Sequence, residues 1–507
     1  MRYHYQLFII SIAIIIICSG NLNANGSIKT QPTSNLFEKN KILSNDINNC
    51  EVNDEILDII YPTSTIPKIV EKEKQFLIQI QSEEFDSIYA FLSTAYEIVT
   101  DTIWLDINNY NTISENNYEI MVTIPSYTPI ELYNLTVVIV KDNKNYSCTE
   151  PRAVDVIENF SDTFSFVHLT DFHVGDIRGI RENLNETIGW KSIKKSIEEI
   201  NLLKPDFVII SGDLVFGQYY PFEYSREYKI CYDIIQLFDV PTYLCPGNHD
   251  GYNKFKEDGL EFWQKYFGPL YYSFDFGDYH FIAANSYDMS KIDRLCFSFI
   301  PLNWGGSIRD EQFQWIENNL ESTNSKMTFM FLHHNPLWET TKDSLVGKKY
   351  YNRLQLLDLI DEYNVDMVLA GHVHYDNITI QNDTIFVTTT TPESSHPDDA
   401  YWGYRLIEMK DGEVEKYNYK EPKYSIPSYR LNYSVSISEG QAEIKIENDL
   451  EQNITAHFNI VLPLGSYSVD RGIISMVRDD DKNTELYIES FIDQLSETTI
   501  TISQNKL

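Results

Sequence analysis

Apolar residues follow three different rhythms along this chain, and each change of rhythm predicts a change of architecture. From Glu51 to about Asn159, short segments alternate or are rich in β-branched residues (QFLIQIQ, EIMVTIP, LYNLTVVIV) and are broken by Pro, Asn-Asn and Ser. That spacing predicts a small antiparallel β-sandwich over residues 51–160. The middle of the chain differs. Five runs (TFSFVHLT, DFVIIS, TYLCP, MTFMFL, VDMVLA) are β-branched or aromatic and too short for a helix, so they read as buried strands. Between them Trp190, Ile193, Ile197 and Ile200 recur every three to four residues, which gives a helix one apolar face, and Arg309–Leu320 and Arg353–Tyr363 repeat the pattern. The segment YYSFDFGDYHFIAANS reads as a hairpin turning at Gly277-Asp278. Strands alternating with helices predict an α/β domain over residues 161–425. From about Tyr429 the chain is all-β again (SVSISE, AEIKIEN, ITAHFNIVLP, ELYIESF, TTITIS), a second small sandwich over residues 426–507.

Each of the five buried runs ends in residues that carry chemistry: Asp171-Phe-His173, Gly212-Asp213, Gly247-Asn248-His249-Asp250, His333-His334-Asn-Pro336 and Gly371-His372-Val-His374. Oxygen and nitrogen donors with no cysteine among them suit hard or borderline divalent ions rather than a structural thiolate zinc. In this order the segments resemble the calcineurin-like metallophosphoesterases, a dinuclear-metal superfamily that includes purple acid phosphatases and cyclic-nucleotide phosphodiesterases. The resemblance runs from about Thr163 to Met409. It implies an α/β fold, two stacked sheets flanked by helices, to which the strand pattern adds small all-β domains on both sides. The N-terminal one is fibronectin-like in several phosphatases.

The resemblance also implies roles. Two divalent ions, with Mn, Zn, Fe, Co and Ni not distinguished, would be bridged by Asp213. Asp171, His173 and His374 would complete the first ion, and Asn248, His333 and His372 the second. His249 would contact phosphate and protonate the leaving oxygen, and Asp250 would either orient its ring or cap the turn. His333 and His334 compete for one ligand position. The first histidine of such a pair is the one used in related segments, which leaves His334 to line the pocket or hydrogen-bond a neighbour. Phe216 stands where purple acid phosphatases keep an iron-binding tyrosine, which favours a divalent pair. Arg178 and Arg405 are the arginines expected to reach substrate. The implied reaction is hydrolysis of a small phosphate mono- or diester by in-line attack of a metal-bound hydroxide. The alternative is a non-catalytic binding protein on the same scaffold.

Composition sets the partners. A formal charge of −35 over 507 residues argues against nucleic acid or anionic membranes as standing partners. It also leaves the metals as the source of attraction for an anionic ester. Leu7 to Ser19 form an apolar stretch behind Arg2, followed by small and polar residues. This reads as a secretory signal over residues 1–25, cleaved between about Gly20 and Gly26, or as an uncleaved signal anchor. Residues 26–50 read as a linker. No later stretch is apolar enough to cross a membrane, so the mature protein is expected to be soluble and extracytoplasmic. Cys50 and Cys148 bracket the N-terminal region and are candidates to pair there, while Cys231 and Cys245 read as core thiols.

Overall fold

Residues 56–505 are described in a computed structural model, apart from 95–101, 177–187, 220–221, 255, 298, 339–344, 346–349, 393–401 and 439. The expected signal segment and linker, Cys50 and Arg178 lie outside the described residues.

All five apolar runs form strands, and they divide between two six-stranded sheets. In the first, β1 (Phe164–Leu169), β2 (Phe207–Ser211) and β3 (Thr242–Cys245) are parallel neighbours, and β10 (Gly403–Lys410) pairs antiparallel with β1. In the second, β4 (Tyr272–Phe276) and β5 (Tyr279–Ala283) form the expected hairpin across Gly277-Asp278. From β5 the sheet continues in parallel through β6 (Met327–Phe331), β7 (Met367–Ala370) and β9 (Thr384–Thr388), with β8 (Asn377–Gln381) antiparallel at the edge.

The sheets face each other across an aromatic core. Phe164, Phe166, Phe207, Ile209 and Tyr243 from the first meet Phe276, Phe281, Phe329, Phe331 and Leu369 from the second. Phe166 stacks on Phe207 with centroids 5.1 Å apart, Phe281 stacks on Phe329 at 4.7 Å, and Phe166 meets Phe281 edge-on at 5.7 Å. The intervening residues of the second sheet, Ile282, Met330, Leu332 and Val368, point the other way, where Ile316, Leu320, Leu356, Leu359 and Ile360 cover them from two helices, Asp310–Ser322 and Arg353–Glu362. Both faces are buried, which is why these runs carry no polar alternation. Trp190, Ile193, Ile197 and Ile200 of the helix Ile188–Leu203 are likewise all buried.

Two all-β regions flank this layer. Residues 57–157 form a four- and a five-stranded sheet that close on one another, with Ile78, Ile80, Ile120 and Val122 against Leu92, Leu135, Val137 and Val154. Residues 431–504 form a four- and a three-stranded sheet. Hydrogen bonds tie both to the centre. Arg152 is buried and donates to the carbonyls of Phe238 and Val240 at 2.8 and 2.6 Å, and Glu199 accepts from the backbone amides of Arg430 and Leu431 at 2.9 and 3.1 Å. These bonds join the loop before β3 and the helix Ile188–Leu203 to the flanking regions.

Phe281 touches aromatic rings from both sheets, so truncating it opens a cavity at their contact. Phe281→Ala is expected to cost about 3–5 kcal/mol in urea unfolding. A loss below about 1 kcal/mol would mean that the two sheets do not share one core.

Candidate metal centre

The ligand candidates leave their strands by abrupt turns. Asp171, His173, Asp213, His372 and His374 all take positive φ, between 47° and 77°, a left-handed conformation that costs L-residues roughly 1–2 kcal/mol each and that clusters at functional sites. The glycines permit close approach. A Cβ on Gly371 would overlap Thr170 Oγ1, and one on Gly247 would overlap Asp213 Oδ1.

These turns bring seven residues expected as ligands to one place. Asp171 Oδ1 lies 3.2 Å from His374 Nε2 and 3.5 Å from His173 Nε2, and those two nitrogens are 3.0 Å apart. Asp213 Oδ2 lies 3.7 Å from His173 Nε2 and 3.0 Å from His333 Nε2, so this one oxygen stands between the two expected ligand groups. Its partner Oδ1 accepts from the His249 amide at 2.8 Å. Asn248 is buried, and its Nδ2 donates to Tyr252 Oη at 2.7 Å, which leaves Oδ1 without a hydrogen-bond partner. His372 lies beside His333, with ring centroids 5.1 Å apart.

Among the described residues, the buried atoms without a hydrogen-bond partner include Asp171 Oδ1, Asn248 Oδ1 and His333 Nε2, the last 3.0 Å from Asp213 Oδ2. Unpaired buried polar atoms are costly, and a cation would give them a partner. The electrostatics agree. Burial opposes charge on Asp171, yet His374 and His333 hold its carboxyl well below the usual range. Asp213 is held low against burial by His333 and His249. Conversely His333, despite burial, is pushed up to about 9 by Asp213 and Asp171. Two buried carboxylates thus demand positive charge, which an imidazolium supplies when no metal does. The donor set fits divalent cations.

The pair His333-His334 is resolved by hydrogen bonding. His333 Nδ1 donates to the Ser211 carbonyl at 2.8 Å and so aims Nε2 at the carboxylates. His334, although its ring is near His333 and His372, donates from Nε2 to the Trp304 carbonyl at 3.0 Å and accepts at Nδ1 from Ser286 Oγ at 2.9 Å. No lone pair remains on it for a metal, and it does not line the cavity.

Of the two readings of Asp250, capping the turn is the one that holds, and one expected role, that of Arg405, needs correction. Asp250 does not orient His249. Its Oδ1 accepts from the amides of Leu214 and Val215 at 2.9 and 3.0 Å and its Oδ2 from Gly247 at 2.8 Å, so it pins two motif loops together. The ring of His249 is set instead by Nδ1 donating to the Phe216 carbonyl at 2.6 Å. Arg405 does not reach substrate. It is fully buried and pairs with Asp376 at 2.7 Å, because its strand neighbour is His168 and the side chain enters the core.

Sequence reasoning missed Tyr252 and a run of four threonines. Thr388 Oγ1 accepts from Asn335 Nδ2 at 3.1 Å; Thr389 Oγ1 meets His168 Nδ1 at 2.7 Å; Thr390 Oγ1 donates to the His374 carbonyl at 3.1 Å; and Thr391 Oγ1 donates to the Asp171 carbonyl at 2.7 Å. Four consecutive hydroxyls therefore fasten three separate stretches of the centre, those of His168 and Asp171, of Asn335 and of His374. A polar run directly after a buried strand was the available signal.

Residues 164–376 match the calcineurin-like phosphoesterase family. The probable glycerophosphodiester phosphodiesterase GpdQ of Arcobacter nitrofigilis is 28% identical over 211 residues, 40% of this chain and 69% of that protein. A probable cyclic nucleotide phosphodiesterase of Coxiella burnetii is 26% identical over 219 residues, 42% and 75%. Probable purple acid phosphatase 20 of Arabidopsis thaliana is 28% identical over 202 residues, 36% and 42%.

If the threonines position the ligands, Thr391→Val should weaken Mn²⁺ binding roughly 10- to 100-fold, the usual effect of losing a support behind a ligand, and Thr391→Ser should restore it. Calorimetric titration of the three proteins decides. Equal affinities for Val and wild type would remove the clasp.

Proposed function

We propose that the calcineurin-like phosphoesterase domain of this chain, residues 164–376, hydrolyses phosphate mono- or diesters with two divalent ions shared across Asp213. The observation that carries this reading is the position of Asp213 Oδ2, 3.7 Å from His173 Nε2 on one side and 3.0 Å from His333 Nε2 on the other. The domain class is a metal-dependent hydrolase of phosphoric esters. Bound in this centre, the ions would supply Lewis-acid stabilisation of phosphoryl charge and a nucleophile at neutral pH.

The chain's own residues do the rest. Asp171 and Asp213 bring negative charge where the ions must sit, while Asn248 offers a neutral oxygen on the second side and so limits repulsion of an incoming phosphate. Asp250 and the four threonines keep the loops in register. His249 lines the cavity, and with Nδ1 held by Phe216 its Nε2 is the atom left for the phosphate or the leaving oxygen. Burial, opposed by Asp213, lowers its ring to about 3. It therefore waits neutral, and an entering phosphate anion raises its affinity for a proton. That proton then goes to the departing oxygen. An extracytoplasmic location belongs to the same proposal, supported by the apolar Leu7–Ser19 stretch; among the described residues no helix is long and apolar enough to cross a membrane.

The test is His249→Ala measured across esters of graded leaving-group pKa. The variant should keep its metal content yet lose roughly 10²- to 10⁴-fold in kcat/KM, with the largest loss for alkoxide-like leaving groups and the smallest for nitrophenolate. Parallel dependences for wild type and variant would take His249 out of proton transfer.

A further inference from the structure

The cavity over the centre, about 480 Å³, has two unlike walls. One is the floor of imidazoles with the Asp213 carboxylate and the Asn248 amide. The other is apolar, built by Phe299, Ile300, Pro301, Trp304 and Leu345. No Lys or Arg is among the described lining residues.

The apolar wall is built, not slack. Cys296–Phe297 pairs antiparallel with Ile300–Pro301, and the turn between them holds Phe299 at φ 69°, a conformation rare for a bulky side chain. Gln218 Nε2 donates to the Phe299 carbonyl at 2.7 Å, and Leu345 is tied by its amide to the Leu302 carbonyl at 2.9 Å. Arg294, itself buried, joins this loop to the Asn248 loop by bonding the Gly251 carbonyl, and it grips the Asp258 carboxylate at 2.7 and 2.9 Å. The wall is thus fixed relative to Asn248 and His249. Yet Ile300 is 55% and Leu345 60% exposed. Apolar side chains held in water beside a polar centre gain when a ligand covers them.

Resting on the phosphoesterase reading above, we propose that the site takes phosphate esters whose non-reacting group is hydrophobic, an alkyl, acyl or aryl group lying on Phe299, Ile300, Pro301, Trp304 and Leu345. Sugar hydroxyls would face a wall with few polar partners, since the amide nitrogen of Gln218 is already engaged. A hydrophobic group instead releases the water over Ile300 and Leu345 and holds the phosphoryl group above His249.

The probes are methyl-, butyl- and hexylphosphonate, titrated calorimetrically into the Mn²⁺-loaded full-length protein. A fully buried methylene is worth about fourfold in affinity, so a half-exposed wall should give roughly tenfold from methyl to butyl. Ile300→Asn combined with Leu345→Asn should flatten this dependence. A flat ladder in wild type, or an unchanged slope in the double variant, overturns the assignment. Turnover of methyl p-nitrophenyl phosphate, measured in parallel, reports separately on the phosphoesterase reading. Turnover with a flat ladder leaves that reading standing and removes this one, and a rising ladder without turnover overturns the phosphoesterase reading and the ester assignment that rests on it.

Discussion

Two buried carboxylates that cannot both stay charged without a cation govern this molecule. Ligand atoms of Asp171, Asp213 and His333 lie within 4.8 Å of one another, all in buried residues. Repulsion between the carboxylates and loss of their hydration oppose that arrangement. It is held because each has one oxygen bound to protein, Asp171 Oδ2 to Thr170 Oγ1 and the His372 amide, Asp213 Oδ1 to the His249 amide. The other oxygen is left toward the centre. The fold maintains the unfavourable half of an interaction whose favourable half is a metal ion.

The architecture serves that constraint. Parallel strands in two facing sheets deliver their C-terminal ends to one edge, and an aromatic core fixes the sheets relative to one another. Left-handed turns at five ligand positions then fold the loops inward. Such strain persists only where surroundings over-determine it, and the surroundings here are Asp250 bonded to three backbone amides and the threonines 388–391 bonded across the loops. Binding energy and backbone strain therefore meet at the same residues.

What could be read from the amino-acid order was whatever depends on short range. The five strands were legible because burial on both faces produces an unbroken apolar run, and the ligand residues because each follows its strand directly. The hairpin at Gly277-Asp278 was legible for the same reason. Roles set by distant partners were not. Thr391 and Asp171 are 220 residues apart, and nothing local in Thr-Thr-Thr-Thr announces four different acceptors and donors. Asp250 looked able to turn His249 because it is adjacent, whereas the Phe216 carbonyl, 33 residues away, has that task. Arg405 was expected to reach substrate, whereas the pairing of β10 with β1 sends it inward toward Asp376.

The central claim is that Asp213 is shared by two cations. Anomalous diffraction from crystals grown with Mn²⁺ tests it most directly. The account predicts two peaks roughly 3.5–4 Å apart, one held by Asp171, His173 and His374 and the other by Asn248, His333 and His372, with the Asp213 carboxylate touching both. A single peak, or two peaks of which only one contacts Asp213, would contradict it.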